Sequence, residues 1–268
     1  MNLLQTLSGL GGAARRRELV AAGFGGSALQ VALDRGEIQR PARGVFAIPG
    51  AEPDVLAAKC VNAELACISA AQRLGLWILR APSCLHVSVN HGRPLDARFI
   101  VHRSNSPGEV AEICVQAMRC LPELDALCIV ESAVARNLVS LAQLRERSSG
   151  RRDGDLRSIV AHVDPHSESI IETVGRYHLV KAGFSVQSQV YVKGVGRLDL
   201  FVDGILGIEA DGREFHSGKV EFEEDRRRGN LLTVGGIPVL RASYPLLVDA
   251  PDVFLDLVRR GLALKRAR

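Results

Sequence analysis

Apolar positions recur along this chain in three successive patterns. Leu3, Leu4, Leu7 and Leu10 share one helical face, and a second helix is expected around Arg15–Ala22, stopping at Gly23. Ser27 is placed to cap a third helix, in which Ala28, Val31 and Ala32 repeat at helical spacing before Gly36 ends it. Glu37 to Ile48 then alternates like a two-stranded hairpin with Pro41 and Gly44 near its turn. Residues 51–157 mix helices with a strand pair at Leu85–Asn90 and Arg98–Arg103. They close in the polar stretch Arg147–Asp155, read as a linker. Beyond it, Ser167 or Ser169 can cap a helix, and Ser169-x-x-Glu172 has capping-box spacing. Ile170, Ile171, Val174 and Tyr177 give that helix an apolar stripe, and Gly183 terminates it. Strand-like residues 185–192 come next, and then Leu198–Val202 and Leu206–Asp211 flank Asp203-Gly204, a hairpin signal.

The register of that last hairpin can be decided from burial. A three-residue loop (203–205) sets Leu200 opposite Ile208 and Asp199 opposite Glu209. One face then carries Leu198, Leu200, Val202, Leu206, Ile208 and Ala210; the other carries Asp199, Phe201, Gly207, Glu209 and Asp211. A two-residue loop would mix acids and aliphatics on both faces, and a one-residue slip inverts a whole strand, so the longer loop is favoured. Three carboxylates on one face are costly. Two unit charges about 4 Å apart repel by about 4 kcal/mol at an effective dielectric of about 20. A proton or a hard divalent cation relieves this, and an all-oxygen ligand set suits Mg²⁺ or Mn²⁺. The competing reading pairs these acids with Arg197, Arg213 or the Arg226–Arg228 run in a solvated ion network.

Charge and composition narrow the picture only slightly. The chain has 268 residues, 47% hydrophobic and 24% charged, as in ordinary globular proteins. That length suits two or three domains. No apolar run approaches the roughly 18–20 residues that span a bilayer. The N-terminal MNLLQTLSGLGGAARRR puts its basic residues after the apolar stretch, unlike a signal peptide, so a cytoplasmic location is expected. Net charge is +4; residues 1–50 hold six Arg against three acids, while residues 158–268 balance fifteen against fifteen. This permits a nucleic-acid partner without requiring one. The six cysteines form no CxxC pair, and they read as reduced, packed thiols rather than a zinc site. His86, His91 and His102 read as structural histidines.

Three helices followed by a hairpin is the winged-helix plan. The strings Glu18-Leu-Val-Ala-Ala-Gly-Phe-Gly-Gly-Ser-Ala-Leu29 and Arg40-Pro-Ala-Arg-Gly-Val-Phe-Ala-Ile48 resemble the N-terminal domain of AbiEi-type antitoxins. The resemblance covers about fifty residues, and the mixed α+β stretch to residue 157 is similar to the rest of an AbiEi-like half. It implies a domain that binds duplex DNA, with Gln30 and Arg35 on the third helix and Arg40 and Arg43 on the wing facing it. The alternative is a winged helix that only packs against another domain.

Residues 158–268 resemble the PD-(D/E)xK nucleases. Asp199, nine intervening residues, and Glu209-Ala-Asp211 follow the D…(D/E)xK spacing. The fuller string Ile208-Glu-Ala-Asp-Gly-Arg-Glu-Phe-His216 is similar to the very-short-patch-repair endonucleases, as is Asp225-Arg-Arg-Arg228-Gly-Asn-Leu-Leu232 before a strand at Ile237–Ala242. The resemblance implies a restriction-endonuclease-like α/β domain with a central mixed sheet. In it Asp199, Glu209 and Asp211 hold Mg²⁺ or Mn²⁺, Glu168 assists from the preceding helix, and His216 activates water. Arg226, Arg227 and Arg228 are then expected to contact phosphate. Two residues depart from the family: Asp211 stands where Lys is usual, and Leu198 replaces the usual Pro. The expected activity is a DNA endonuclease or nickase. The rival expectation is a non-catalytic, antitoxin-like DNA-binding regulator on a nuclease-like scaffold.

Overall fold

A computed structural model describes residues 2–104, 106, 108–211, 227, 229–232 and 234–266. The chain is mixed α/β and divides into two compact units: residues 1–76 with 80–120, and residues 77–79 with 121–268. Residues 121–157, expected with the middle region, therefore pack in the second unit.

The first unit opens with α1 (Leu3–Gly9), capped reciprocally by Asn2 and Gln5. Then come β1 (Ala13–Arg15), α2 (Arg16–Ala21), α3 (Gly26–Asp34), β2 (Gln39–Ala42) and β3 (Val45–Ala47). The strands form an antiparallel sheet in the order β1-β3-β2. Gly25 rather than Ser27 occupies the N-cap of α3, so that helix starts earlier than its capping signal suggested. Gly36, at φ +69, lets the chain reverse after α3. Leu7, Ala14, Leu19, Leu29, Ala32, Ile38 and Phe46 fill the core between the helices and the sheet.

The rest of this unit comprises α4 (Pro53–Cys60), β4 (Glu64–Leu65), α5 (Cys67–Arg73), β5 (Leu85–Val89), β6 (Phe99–Arg103) and α6 (Val110–Cys120). Its sheet runs β4-β5-β6, and the expected strand pair β5–β6 is parallel. Lys59, 5% exposed, lies 2.5 Å from Glu18 and 2.6 Å from Glu64. Two carboxylates compensate the burial of that ammonium.

In the second unit α7 (Glu123–Ala135), α8 (Leu141–Arg147) and α9 (Gly154–His162) precede α10 (Ile170–Lys181). The polar stretch read as a linker is the connection between α8 and α9. A four-stranded sheet comes after α10, built from β7 (Val186–Val192), β8 (Gly196–Val202), β9 (Leu206–Asp211) and β10 (Val239–Ser243). β7, β8 and β9 are antiparallel neighbours, and β10 joins β9 in parallel. Helices α11 (Tyr244–Val248) and α12 (Pro251–Arg266) complete the unit.

Ile171, Val174 and Leu179 of α10 meet Leu200, Val202, Leu206 and Ile208 of the sheet, with Leu247, Phe254 and Val258 from the last helices. Beneath that core, fully buried Glu131 accepts from Thr173 Oγ1 and from the Asp164 backbone N–H, each at 2.7 Å, and pairs with Arg176. This network ties α7 to α10 and so fixes the helix that approaches the carboxylates. No helix is long and apolar enough to cross a membrane among the described residues.

Candidate functional site

The β8–β9 hairpin places the acidic residues. Its loop is Asp203, Gly204 and Ile205, with Leu200 paired to Ile208, Phe201 to Gly207 and Val202 to Leu206. Asp203 and Gly204 sit at φ +51 and +67, a conformation the Asp-Gly pair adopts at little cost. Alternation holds from Leu200 onward but fails at Leu198. That residue packs with Phe201, Leu232 and Val239 instead of with Leu200. Gln189, at φ +55, lies opposite Asp199, where the β7–β8 pairing is interrupted between Ser188–Leu200 and Val190–Leu198 with the register the same on both sides.

Asp199 accepts a 2.8 Å hydrogen bond from the backbone N–H of Ala210, the residue between Glu209 and Asp211. Glu209 is 9% exposed and lies 3.7 Å from Arg241, its register partner on β10. Asp211 ends β9 and is half-buried. These three carboxylates do not bring their oxygens into one cluster; Asp199 and Glu209 each satisfy their charge on a separate donor. Glu168, expected to assist, is instead exposed beside Arg197 at 2.5 Å. The ion-network reading pairs Asp199, Glu209 and Asp211 with Arg197, Arg213 or Arg226–Arg228; Glu209 lies instead by Arg241, and Arg197 by Glu168.

One turn further along, Glu172 approaches the same region and was missed as a site residue. It is 6% exposed, and burial first, with the Asp199 charge adding to it, pushes its carboxyl above the usual range. The Glu168 backbone N–H and Gln189 Nε2 donate to it at 3.0 and 2.7 Å. Its position as the third residue after Ser169 marked it in the sequence as a capping partner, and that masked its orientation toward Asp199. The buried Gln189 Oε1 has no hydrogen-bond partner, which adds one more oxygen donor near Glu172. The donors here are therefore all oxygen, the set a hard divalent ion takes.

A cleft of about 580 Å³ opens beside β9 and β10, lined by Glu209, Arg241, Leu232, Pro238 and Val239 among others. Arg227 is helical and exposed near the start of the segment that returns to β10. His216, Arg213, Arg226 and Arg228 lie outside the described residues.

The first unit holds a second concave feature. A cleft of about 380 Å³ between α3 and the β2–β3 hairpin is lined by Arg16, Gln30, Arg40 and Arg43, with no acidic residue in its wall. Three guanidinium groups facing one groove present an anion-binding surface. Arg16 was not singled out from the sequence, although it stands in the run Arg15-Arg16-Arg17. Arg35 lines no part of this cleft; it is exposed and lies 3.9 Å from Glu37. Gln30 also donates to Asp34 at 2.8 Å.

Soft ligands gather elsewhere. Cys67, His86, His102 and Cys120 bring their ligand atoms within 4.8 Å of one another, and no other such group of three or more occurs among the described residues. From the sequence these cysteines read as packed thiols, for want of a CxxC pair, and these histidines as structural; the four positions come together only in the fold. No protein-family model matches the chain, and no curated protein matches it.

Proposed function

We propose that the chain is a metal-dependent nuclease, hydrolysing phosphodiester bonds of DNA with Mg²⁺ or Mn²⁺. The observation that carries this reading is the placement of Asp199 against the Ala210 amide, between Glu209 and Asp211 on the adjacent strand. A helix followed by three antiparallel strands and one parallel strand supports the restriction-endonuclease-like reading. Asp199 and Glu209 would hold the ion, with their oxygens drawn together from the separate positions they now take. Glu172, which feels the Asp199 charge, would be the next oxygen ligand, with Asp211 at the end of the same strand as Glu209. Such an ion would supply charge stabilisation at phosphate and a nucleophile at neutral pH. On this reading Arg241, which lines the cleft with Glu209, and the exposed Arg227 neutralise phosphate. His216 is assigned as the base that takes the proton from water.

The first fifty residues supply DNA docking on this reading. The order α1-β1-α2-α3-β2-β3, with the sheet β1-β3-β2, supports a winged-helix reading. Its basic cleft between α3 and the wing fits a phosphate backbone.

Incubation with supercoiled plasmid tests the proposal. Nicked or linear product is expected with Mg²⁺ or Mn²⁺, none with EDTA, and none from Asp199→Asn, which removes a ligand at nearly constant shape. Absence of cleavage by the wild type with either ion overturns the nuclease reading. A second reading, a non-catalytic DNA-binding regulator, is favoured by the ion pairs Glu209–Arg241 and Glu168–Arg197. Plasmid retardation without cleavage is its signature.

A further inference from the structure

We propose that Cys67, His86, His102 and Cys120 form a structural zinc site in the first unit, separate from the carboxylate site. All four ligand atoms lie within 4.8 Å of one another. His86 Nδ1 is 3.2 Å from His102 Nε2 and 3.7 Å from Cys120 Sγ. Zinc bonds of about 2.05 Å to nitrogen and about 2.3 Å to sulfur, in a tetrahedron, set N···N near about 3.3 Å and N···S near about 3.6 Å. The two observed separations agree with those edges to within about 0.2 Å. Two thiolates and two neutral imidazoles around a dication leave no net charge, so the centre can be buried without an uncompensated ion.

Four different elements supply the ligands. Cys67 opens α5, His86 lies on β5, His102 on β6, and Cys120 ends α6. Parallel pairing of β5 with β6 brings the two imidazoles together, their rings stacked with centroids 5.5 Å apart. The backbone around them is pinned. Cys67 N–H donates to Gln116 Oε1 and His86 N–H to Ser69 Oγ, both at 2.9 Å. Cys67 holds φ +48, a left-handed conformation that a non-glycine residue keeps only where its surroundings impose it.

Uptake of zinc releases the two thiol protons to solvent as the two Zn–S bonds form. Soft sulfur selects against Mg²⁺ and Mn²⁺, so the two sites take different metals. His102 is half-buried and Cys120 exposed, which leaves an entry path.

Cobalt titration of the full-length chain, reduced and stripped of metal, tests the site. The expected result is visible bands of tetrahedral Co²⁺ with a near-ultraviolet thiolate charge-transfer band, saturating at one equivalent and bleached by Zn²⁺. Cys120→Ser, at an exposed position, should lose about half of the charge-transfer intensity through loss of one of two thiolates. Asp199→Asn should leave the spectrum unchanged, which separates this site from the carboxylates. A wild type with no charge-transfer band at saturating Co²⁺, or a band untouched by Cys120→Ser, overturns the proposal. So does a chain that closes a Cys67–Cys120 disulfide in air yet takes up no cobalt when reduced; those cysteines would then be a redox pair.

Discussion

Glu131→Gln should destabilise the second unit severely, because it removes the charge that compensates a buried guanidinium. Glu131 is 0% exposed and Arg176 is 7% exposed. The carboxylate accepts from Thr173, from the Asp164 backbone N–H and from Arg176, three donors on two oxygens. An amide of the same shape keeps one acceptor and turns an N–H₂ toward donors. Breaking a buried pair by removing one charge costs about 3–5 kcal/mol. Asp164 Oδ2, 4.0 Å from Arg176 Nε, offers partial relief and places the expectation near the low end, about 3 kcal/mol. For a domain of about 150 residues each kcal/mol shifts Tm by about 2–4 °C, so a drop of about 6–12 °C is expected. Urea unfolding followed by Trp77 fluorescence measures it, since Trp77 is the sole tryptophan and packs against the core of this unit. The double substitution Glu131→Gln/Arg176→Met should recover much of the loss, because no uncompensated charge remains. A loss under about 1 kcal/mol, or a double variant less stable than the single one, would refute the charge-compensation argument.

Glu172 gives a pH test. Its folded-state pKa is raised, by burial first and by Asp199 as well, so the folded chain holds that proton more tightly than the unfolded chain does. Its contribution is fully present below the ordinary glutamate range and is lost as pH rises through the raised value. Glu172→Gln should therefore gain stability relative to wild type across that rise, and urea midpoints showing a pH-independent difference would contradict it. At the basic cleft, Arg40→Ala and Arg43→Ala should each weaken duplex binding at low salt and reduce the slope of log K against log salt by about 0.9 per lost phosphate contact. Fluorescence anisotropy over a salt series reads this, and unchanged slopes would move DNA docking away from that cleft.

What the sequence made legible was local. Asp203-Gly204, with aliphatic residues alternating on either side, specified the loop length and the Leu200–Ile208 register, because any slip would bury acids. Ser169 and Gly183 bounded α10 through capping chemistry that operates within a few residues. β1 escaped notice because Ala13–Arg15 is too short to show a period, and its strand character comes from pairing with β3. Leu198 packs with Phe201, Leu232 and Val239 rather than with Leu200, a break in alternation beside Asp199 that strand periodicity does not announce.

The two proposed metal sites show the same division between local and long-range order. Asp199 and Glu209 sit on consecutive strands, so a hairpin register alone relates them. Cys67, His86, His102 and Cys120 meet only after α5, α6 and a parallel strand pair have packed, and a parallel pair needs a crossover that no short-range pattern announces. Glu168 and Glu172 sharpen the point, being one helical turn apart and alike in composition. The helix start puts Glu168 in solvent beside Arg197, whereas Glu172 is drawn under Gln189 and toward Asp199. Burial separates two carboxylates that spacing leaves equivalent. The acid pressed toward another acid is the one whose charge a divalent ion would stabilise most, and that makes Glu172 the stronger candidate to complete the site.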